Sequence, residues 1–296
     1  MLDATVIIPT HNRKELLFKC LAYLERQKYN KNKFEVIVVD DSSTDGTKQS
    51  IKSYLKHTKL KLRYFYQNHK GPAAARNLAI SKSKGRYIMI TNDDTYPSPN
   101  WINEHMKIHN KIKDCAVLGF IKWYPYMKIN DFMHFIAPYG PLFDFRIKNP
   151  NNCGFNNFFT SNISLERKWF INDSFNEKFE YASCEDIELG YRLENKGLRI
   201  ILNKNAVVYH EHFIEDKSNS SFYKKLYILG RDLNNLEKLH PEKFKVNFFH
   251  LVKLVASRFY FLLNFNKKLY WRFKCGFFYH LGVFSVKKDT DIITKL

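Results

Sequence analysis

The chain has 296 residues, 45% of them hydrophobic and 16% aromatic, enough for one elaborate domain or a domain with an appendage and too many for a mainly disordered chain. Its 48 Lys and Arg exceed 29 Asp and Glu, a net charge of +19; that excess points to an anionic partner or surface and leaves the fold open. Five scattered cysteines (Cys20, Cys115, Cys153, Cys184 and Cys275) form no C-x-x-C pair, which excludes a disulfide scaffold and a cysteine zinc site and favours a reducing, cytoplasmic setting.

Met1 leads straight into a strand-like run, so no signal peptide is expected. No stretch of about 18 uncharged apolar residues predicts a membrane-spanning helix. Thr5–Ile8, closed by Pro9, is a short β-branched run of the kind that forms a buried strand. Leu16, Leu17, Cys20, Leu21 and Leu24 then recur at helical spacing. Val36–Val39 predicts a second buried strand, stopped by Asp40-Asp41-Ser42-Ser43. Ser43 or Thr44 can cap the next helix, with Ile51, Tyr54 and Leu55 inward. Leu62–Tyr66, a helix opened by Gly71-Pro72, and Arg86–Ile90 followed by Thr91-Asn92-Asp93-Asp94 continue the alternation. Strand–helix alternation predicts a Rossmann-like α/β fold, a mostly parallel sheet with helices on both faces.

Beyond residue 115 the pattern loosens. Ala116–Trp123 predicts a strand, whereas 124–160 is long, aromatic and proline-bearing, the mark of a functional loop. Ser161–Ile171, the helix Asp186–Lys196 ended by Gly197, and the strand Arg199–Asn203 restore regularity. From 217 onward 16 Lys and Arg face 5 Asp and Glu, so +11 of the net charge lies there. Phe248, Val252, Val255, Phe259 and Leu262 line one helical face, and Tyr270, Phe273, Phe277, Leu281 and Phe284 another. The expected organisation is a catalytic domain over 1–215, with halves at about 1–95 and 96–215, and a basic amphipathic helical appendage over 216–296.

Ligands of open parallel sheets bind beyond the carboxyl ends of the strands. Asn92-Asp93-Asp94 stands at such an end, and two adjacent carboxylates there suit a divalent cation on a diphosphate; the competing reading is a solvated acidic turn. Asp40-Asp41 can accept hydrogen bonds from a nucleobase or ribose, or cap a helix. Glu185-Asp186 opens a helix, where a carboxylate serves the dipole or acts as a general base. Arg76 is a phosphate clamp or a solvated helix residue, and His210 or His212 can complete a mixed Asp/His metal site.

The ordered set is more telling than any single motif. Val6–Arg13, with Pro9-Thr10-His11-Asn12 at its centre, resembles the opening of family 2 glycosyltransferases of GT-A fold. Glu35–Thr47 resembles their V-D-D-G-S-T-D-G-T segment, Gly71–Asn77 their G-x-x-x-A-R-N helix, Asn92-Asp93-Asp94 their D-x-D motif, and Cys184–Leu193 their acceptor-side E-D helix. Tyr209-His210-Glu211-His212 closes the series, which covers about 4–215. The resemblance implies an inverting transferase that moves a sugar from a nucleotide diphosphate sugar, UDP-linked by preference, to a hydroxyl acceptor, with Mn2+ or Mg2+. It places Pro9, Thr10, His11, Asn12, Asp41, Arg76 and Asp93 around the nucleotide, Asp94 and His210 on metal, and Asp186 as base beside Glu185. Ser42 stands where the family has Gly, tolerable if that position avoids positive φ, and Asn92 replaces the first Asp of D-x-D.

The implied partners are the sugar nucleotide and a carbohydrate or lipid-linked acceptor, in cell-surface polysaccharide or glycolipid synthesis. The tail suggests docking on an anionic membrane from the cytoplasmic side, with core packing or a homodimer interface as rival uses of its faces. A sugar nucleotidyltransferase is the nearest rival enzyme, but its G-x-G-T-R loop is absent. A basic nucleic-acid-binding protein is the rival of another class; acidic strand ends oppose it, and no nucleic-acid partner is expected.

Overall fold

A computed structural model of the chain describes residues 1–285 other than 180, 182, 218, 219 and 264. Two compact units emerge: Met1–Met127 with Asp144–Glu180 and Glu185–His212, and Lys128–Phe143 with Tyr181–Cys184 and Phe213–Leu296.

The first unit carries one eight-stranded sheet. Strands β1 (Leu2–Thr10), β2 (Phe34–Asp41), β3 (Leu62–Gln67) and β4 (Gly85–Thr91) are mutually parallel. Helices α1 (Lys14–Glu25), α2 (Thr47–Tyr54) and α3 (Gly71–Lys82) supply the crossovers that parallel pairing demands. After them come β5 (Thr95–Pro97), α4 (Trp101–Lys111), β6 (Cys115–Trp123), α5 (Asp131–Ile136), β7 (Asn162–Glu166), α6 (Glu185–Asn195) and β8 (Arg199–His210). Across the sheet the order is β3-β2-β1-β4-β7-β6-β8-β5. β2 is buried at every position, so both faces are covered there.

The expected mostly parallel α/β sheet is present, with two departures in detail. β7 enters antiparallel between β4 and β6, and β5 pairs antiparallel with β8. The runs at 199–203 and 206–209 belong to one strand, β8, whose pairing with β6 slips between Gly119 and Phe120. At α2 the cap is Gly46 (φ 86), not Ser43 or Thr44; Asp45 accepts from the Thr47 amide (3.1 Å) and hydroxyl (2.6 Å), and Leu55 is exposed rather than inward. α6 ends at Gly197 (φ 92), and the Leu198 amide reaches back to the Leu193 carbonyl (3.0 Å), the glycine stop expected for a helix end.

A buried polar chain fastens α4 to β7, the strand beside β4. Asn162 Nδ2 donates to the Phe120 and Ala206 carbonyls (3.1 and 2.9 Å), so its Oδ1 accepts from Trp101 Nε1 (2.7 Å) and His105 Nε2 (3.0 Å). His105 Nδ1 must then accept from the Ser164 hydroxyl (2.7 Å), whose oxygen accepts from His109 Nε2 (2.7 Å). His105, which donates at Nε2 and accepts at Nδ1, is neutral in this arrangement. Burial pushes His105 down to about 4 and His109 down to about 3. Because the unfolded chain protonates these groups near 6.5, stability falls as pH drops from about 6.5 toward 4, by up to ~1.4 kcal/mol per pH unit for each ring. The melting temperature should therefore fall steeply over that window, and less so for H105Q/H109Q. An equally steep fall in the double variant would show that other groups govern acid stability.

The second unit gathers α5 with α7 (Ser221–Leu239), α8 (Phe248–Ser257) and α9 (Lys267–Val283). α7 and α9 cross at glycines: a Cβ at Gly230 would lie 1.9 Å from the Tyr279 carbonyl oxygen, and one at Gly282 equally close to that of Tyr227. Phe132, Tyr223, Trp271 and Phe278 fill the core. Asp216 accepts from Tyr223 Oη, Trp271 Nε1 and Lys274 Nζ, each at 2.7 Å, so Lys274 is a buried, paired cation. Residues 286–296 of the expected appendage lie outside the described residues. No helix among those described is long and apolar enough to cross a membrane.

Candidate active site

Parallel register puts the ends of β1, β2 and β4 on one edge, with Thr10 opposite Asp40. The chain leaves each strand through polar residues, and these knit together. The Asn12 amide donates to Ser43 Oγ (2.9 Å), and its side-chain oxygen accepts from the Thr44 amide (2.7 Å). Asn12 and Ser42 both occupy the left-handed region, at φ 51 and φ 69. The condition under which Ser42 was to be tolerable is therefore not met. A non-glycine residue there costs about 1–2 kcal/mol; the Ser42 hydroxyl lies 3.1 Å from that of Tyr66.

Both carboxylates after β4 are buried. Asp93 accepts from Thr10 Oγ1 (2.8 Å) and from Arg13 (3.2 Å), which also donates to Asp94 Oδ2 at 2.9 Å. Burial, then the neighbouring Asp94 charge, push Asp93 above the usual carboxylate range. Burial opposes ionisation of Asp94 too, yet His210, Arg13 and His212 outweigh it and hold Asp94 well below the usual carboxylate range. Asn92 turns away, its side-chain amide donating to Ser161 Oγ (2.9 Å).

His210 Nε2 and His212 Nδ1 lie 3.6 and 3.9 Å from Asp94 Oδ2. The backbone tie from the Glu211 amide to the Asp94 carbonyl (2.9 Å) and stacking of Trp123 on His210 bring the end of β8 to this point. Asp94 Oδ1 is buried and has no hydrogen-bond partner among the described residues. A carboxylate and two imidazoles whose ligand atoms lie within 4.8 Å of one another, with a bare buried oxygen, fit a divalent transition ion such as Mn2+.

Asp41 holds the start of α3. Its Oδ1 accepts from Gln67 Nε2 (2.7 Å) and the Lys70 amide (2.8 Å), and its Oδ2 from the Gly71 amide (2.9 Å). His11 Nδ1 donates to the Asp41 carbonyl (2.6 Å), and His69 Nδ1 sits 2.9 Å from Asp41 Oδ2, with the two rings 4.6 Å apart. His11, Asp41 and His69 also meet metal-ligand spacing. Since both Nδ1 atoms face acceptor oxygens, hydrogen bonding rather than ligation describes this group better. Pro9 is half-buried near the end of β1, opposite Val39.

Arg76 donates to Glu185 Oε1 at 2.8 Å, both side chains nearly inaccessible, and lies over the Phe175 ring. This pair joins α3 to the first turn of α6. Asp186, next in sequence, is half-buried, and its Oδ1 accepts from the Ile187 amide (2.8 Å). The structure thus brings Thr10, Asp93, Asp94 and His210 into one cluster and Asp41 with His11 into another, and joins Arg76 to Glu185. Three participants were given no role in the sequence reading: His69, which lies in no motif, and Arg13 and Glu211, which lie inside quoted motifs; Glu211 pairs with Lys19 (2.6 Å) and accepts from Tyr96. A cation just past a strand end facing an acidic strand end was the available signal for Arg13.

The family model of glycosyl transferase family 2 matches residues 5–172. The chain belongs to that family. Chondroitin synthase of Escherichia coli is 28% identical over 238 residues, 70% of this chain and 34% of that protein. Hyaluronan synthase of Pasteurella multocida is 27% identical over 239 residues, covering 70% and 24%. The chain thus spans about a third or less of these relatives' length. Among solved structures, the mannosyltransferase PcManGT from Pyrobaculum calidifontis with GDP-Man and Mn2+ matches with a TM-score of 0.66 at 19% identity, over 95% of this chain and 85% of that one. TarS 1–349 of S. aureus with UDP-GlcNAc gives 0.57 at 20% identity, over 95% and 90%. The family 2 chain therefore has the GT-A fold; the motifs up to Asp94 fall within the matched span, and Glu185, Asp186, His210 and His212 lie beyond it.

Proposed function

We propose that the protein is an inverting glycosyltransferase that moves a sugar from a UDP-sugar to a hydroxyl of a carbohydrate or lipid-linked acceptor, in cell-surface polysaccharide or glycolipid synthesis. The observation that carries this is the metal-spaced group of Asp94, His210 and His212 at the carboxyl edge of the sheet, with Asp94 inside the span matched to family 2. Support for UDP comes from a neighbour whose structure holds UDP-GlcNAc, and for Mn2+ from one that holds GDP-Man and Mn2+.

On this reading Asp94 and His210, with His212, hold Mn2+ or Mg2+, and Asp93 takes the ribose hydroxyls. Pro9, Thr10, His11, Asn12 and Asp41 surround the base. Bound there, the ion supplies positive charge to the diphosphate. Arg76 acts by fixing Glu185 and hence the first turn of α6, which presents Asp186. The Asp186 carboxylate takes the proton of the acceptor hydroxyl as that oxygen bonds to the anomeric carbon, and the carbon–oxygen bond to the diphosphate breaks with its electron pair leaving on the nucleotide. No covalent bond to the protein is required, so positioning and electrostatics carry the rate. The work is done on the cytoplasmic side of the membrane, and no nucleic-acid partner is assigned.

A thermal-shift panel of nucleoside diphosphates with and without Mn2+ tests the reading, because a ligand of the native state raises the melting temperature. UDP with Mn2+ should give the largest rise. A panel in which no nucleotide shifts the transition under either condition overturns it.

A further inference from the structure

Helix α8 is packed with its apolar side outward. His250, Leu254, Ser257 and Tyr260 recur at three- and four-residue spacing, the period of one helical face, and the contacts of that face run to α9. The His250 and His280 rings are 5.5 Å apart, Ser257 is buried beside Gly276, and Tyr260 meets Tyr270 and Phe277 at 5.4 and 5.8 Å. The opposite face presents Phe248 (72% exposed), Val255 (56%) and Phe259 (51%), and continues through the 3₁₀ turn Arg258–Leu263 to Phe265 (82%). The second aromatic pattern behaves differently. On α9, Trp271, Phe278 and Val283 are buried against the unit's core and Tyr270, Phe273 and Phe277 half-buried. The second pattern is thus half-covered, with Leu281 half-buried and Phe284 exposed at its end, whereas the first stays exposed. Proteins that stay in water seldom leave so large an apolar face uncovered.

Charge identifies what covers it. From residue 243 to 285 the chain carries Lys or Arg at eight positions and Asp or Glu at none. Lys253 and Arg258 on the outward segment, with Lys267 and Lys268 just beyond Phe265, are exposed. A face pairing exposed phenylalanines and valines with uncompensated cations suits the headgroup boundary of an anionic bilayer, and α8, at ten residues, is too short to cross one. A second copy of this chain would bring the same cations face to face, which opposes self-association.

We propose that Phe248–Leu263, with Phe265–Lys268, is a membrane-docking surface that lies in the interface of an anionic bilayer. It draws on the proposed cytoplasmic setting only for the presence of an anionic leaflet. Its test needs no sugar donor, acceptor or metal, so the two readings fail separately.

The experiment is flotation of the full chain with vesicles of phosphatidylcholine alone or mixed with phosphatidylglycerol. The protein should float with the mixed vesicles, stay down with phosphatidylcholine, and be released by high salt. V255S/F259S/L262S should lower partitioning at least ~10-fold. K253E/R258E/K267E/K268E should lower it by ~100-fold or more, since each basic residue near the surface contributes several-fold. Circular dichroism and the melting temperature confirm that each variant is folded; either one folded variant suffices. Equal flotation with both vesicle types, no flotation at low salt, or unchanged partitioning of a folded variant overturns the proposal. So does a dimer in sedimentation velocity that V255S/F259S/L262S dissolves while the parent fails to float.

Discussion

Asp186→Asn should leave UDP binding as it is and lower sugar transfer by ~10²–10⁴-fold, the range for loss of a positioned general base. The substitution keeps an oxygen to accept from the Ile187 amide, so the first turn of α6 should hold. It removes only the ability to take a proton at neutral pH. The neighbouring Glu185 cannot substitute, because it is buried against Arg76 at 2.8 Å. Two measurements check this: UDP titration by calorimetry, and transfer under single-turnover conditions with an acceptor found by screening. Turnover equal to the parent would remove Asp186 from the chemistry. Lost UDP affinity with an unchanged melting temperature would make it a binding residue instead.

The second large effect is at Asp94. Asp94→Ala should abolish the Mn2+-dependent part of UDP affinity, a loss of ~100-fold or more, since even outer-shell changes at metal sites cost 10–100-fold. The fold should survive. Arg13 retains Asp93 as its anionic partner, and the substitution deletes a buried oxygen that has no hydrogen-bond partner among the described residues. UDP titrations with and without Mn2+ separate the metal-dependent part from the rest. A variant whose affinity still rises with Mn2+ as the parent's does would place the ion elsewhere. The group of His11, Asp41 and His69 is then the alternative to examine.

The strands of the first unit were legible because β-branched runs ended by Pro9, Asp40 and Asn92 are local signals, read within a few residues. Partner choice was not legible. β7 has the residues of an ordinary strand, and nothing in Asn162–Glu166 says that it runs antiparallel between β4 and β6. That placement rests on Asn162 and Ser164 meeting Trp101, His105 and His109, contacts separated by 55 residues or more along the chain. Arg76 shows the same divide. Its position in a G-x-x-x-A-R-N helix was visible, but its counter-ion Glu185 is 109 residues away. Asp94 was read as a metal ligand from its motif, whereas the convergence of His210, His212 and Arg13 upon it comes from strand ends that meet only after folding.

The family, the alternation of strands and helices from β1 to β4, and the strand ends that carry carboxylates were legible in the sequence, because these depend on neighbours in the chain. The tertiary structure decided the rest. It set Ser42 at a φ of 69 and tied Glu185 to Arg76. It also half-buried Tyr270, Phe273 and Phe277 of α9 while leaving Phe248, Val255 and Phe259 exposed. The physical reason is common to all three. Backbone strain, the desolvation of an ion pair and the burial of an apolar face each depend on what packs opposite, and hydrophobic periodicity reports that a face exists without saying what meets it.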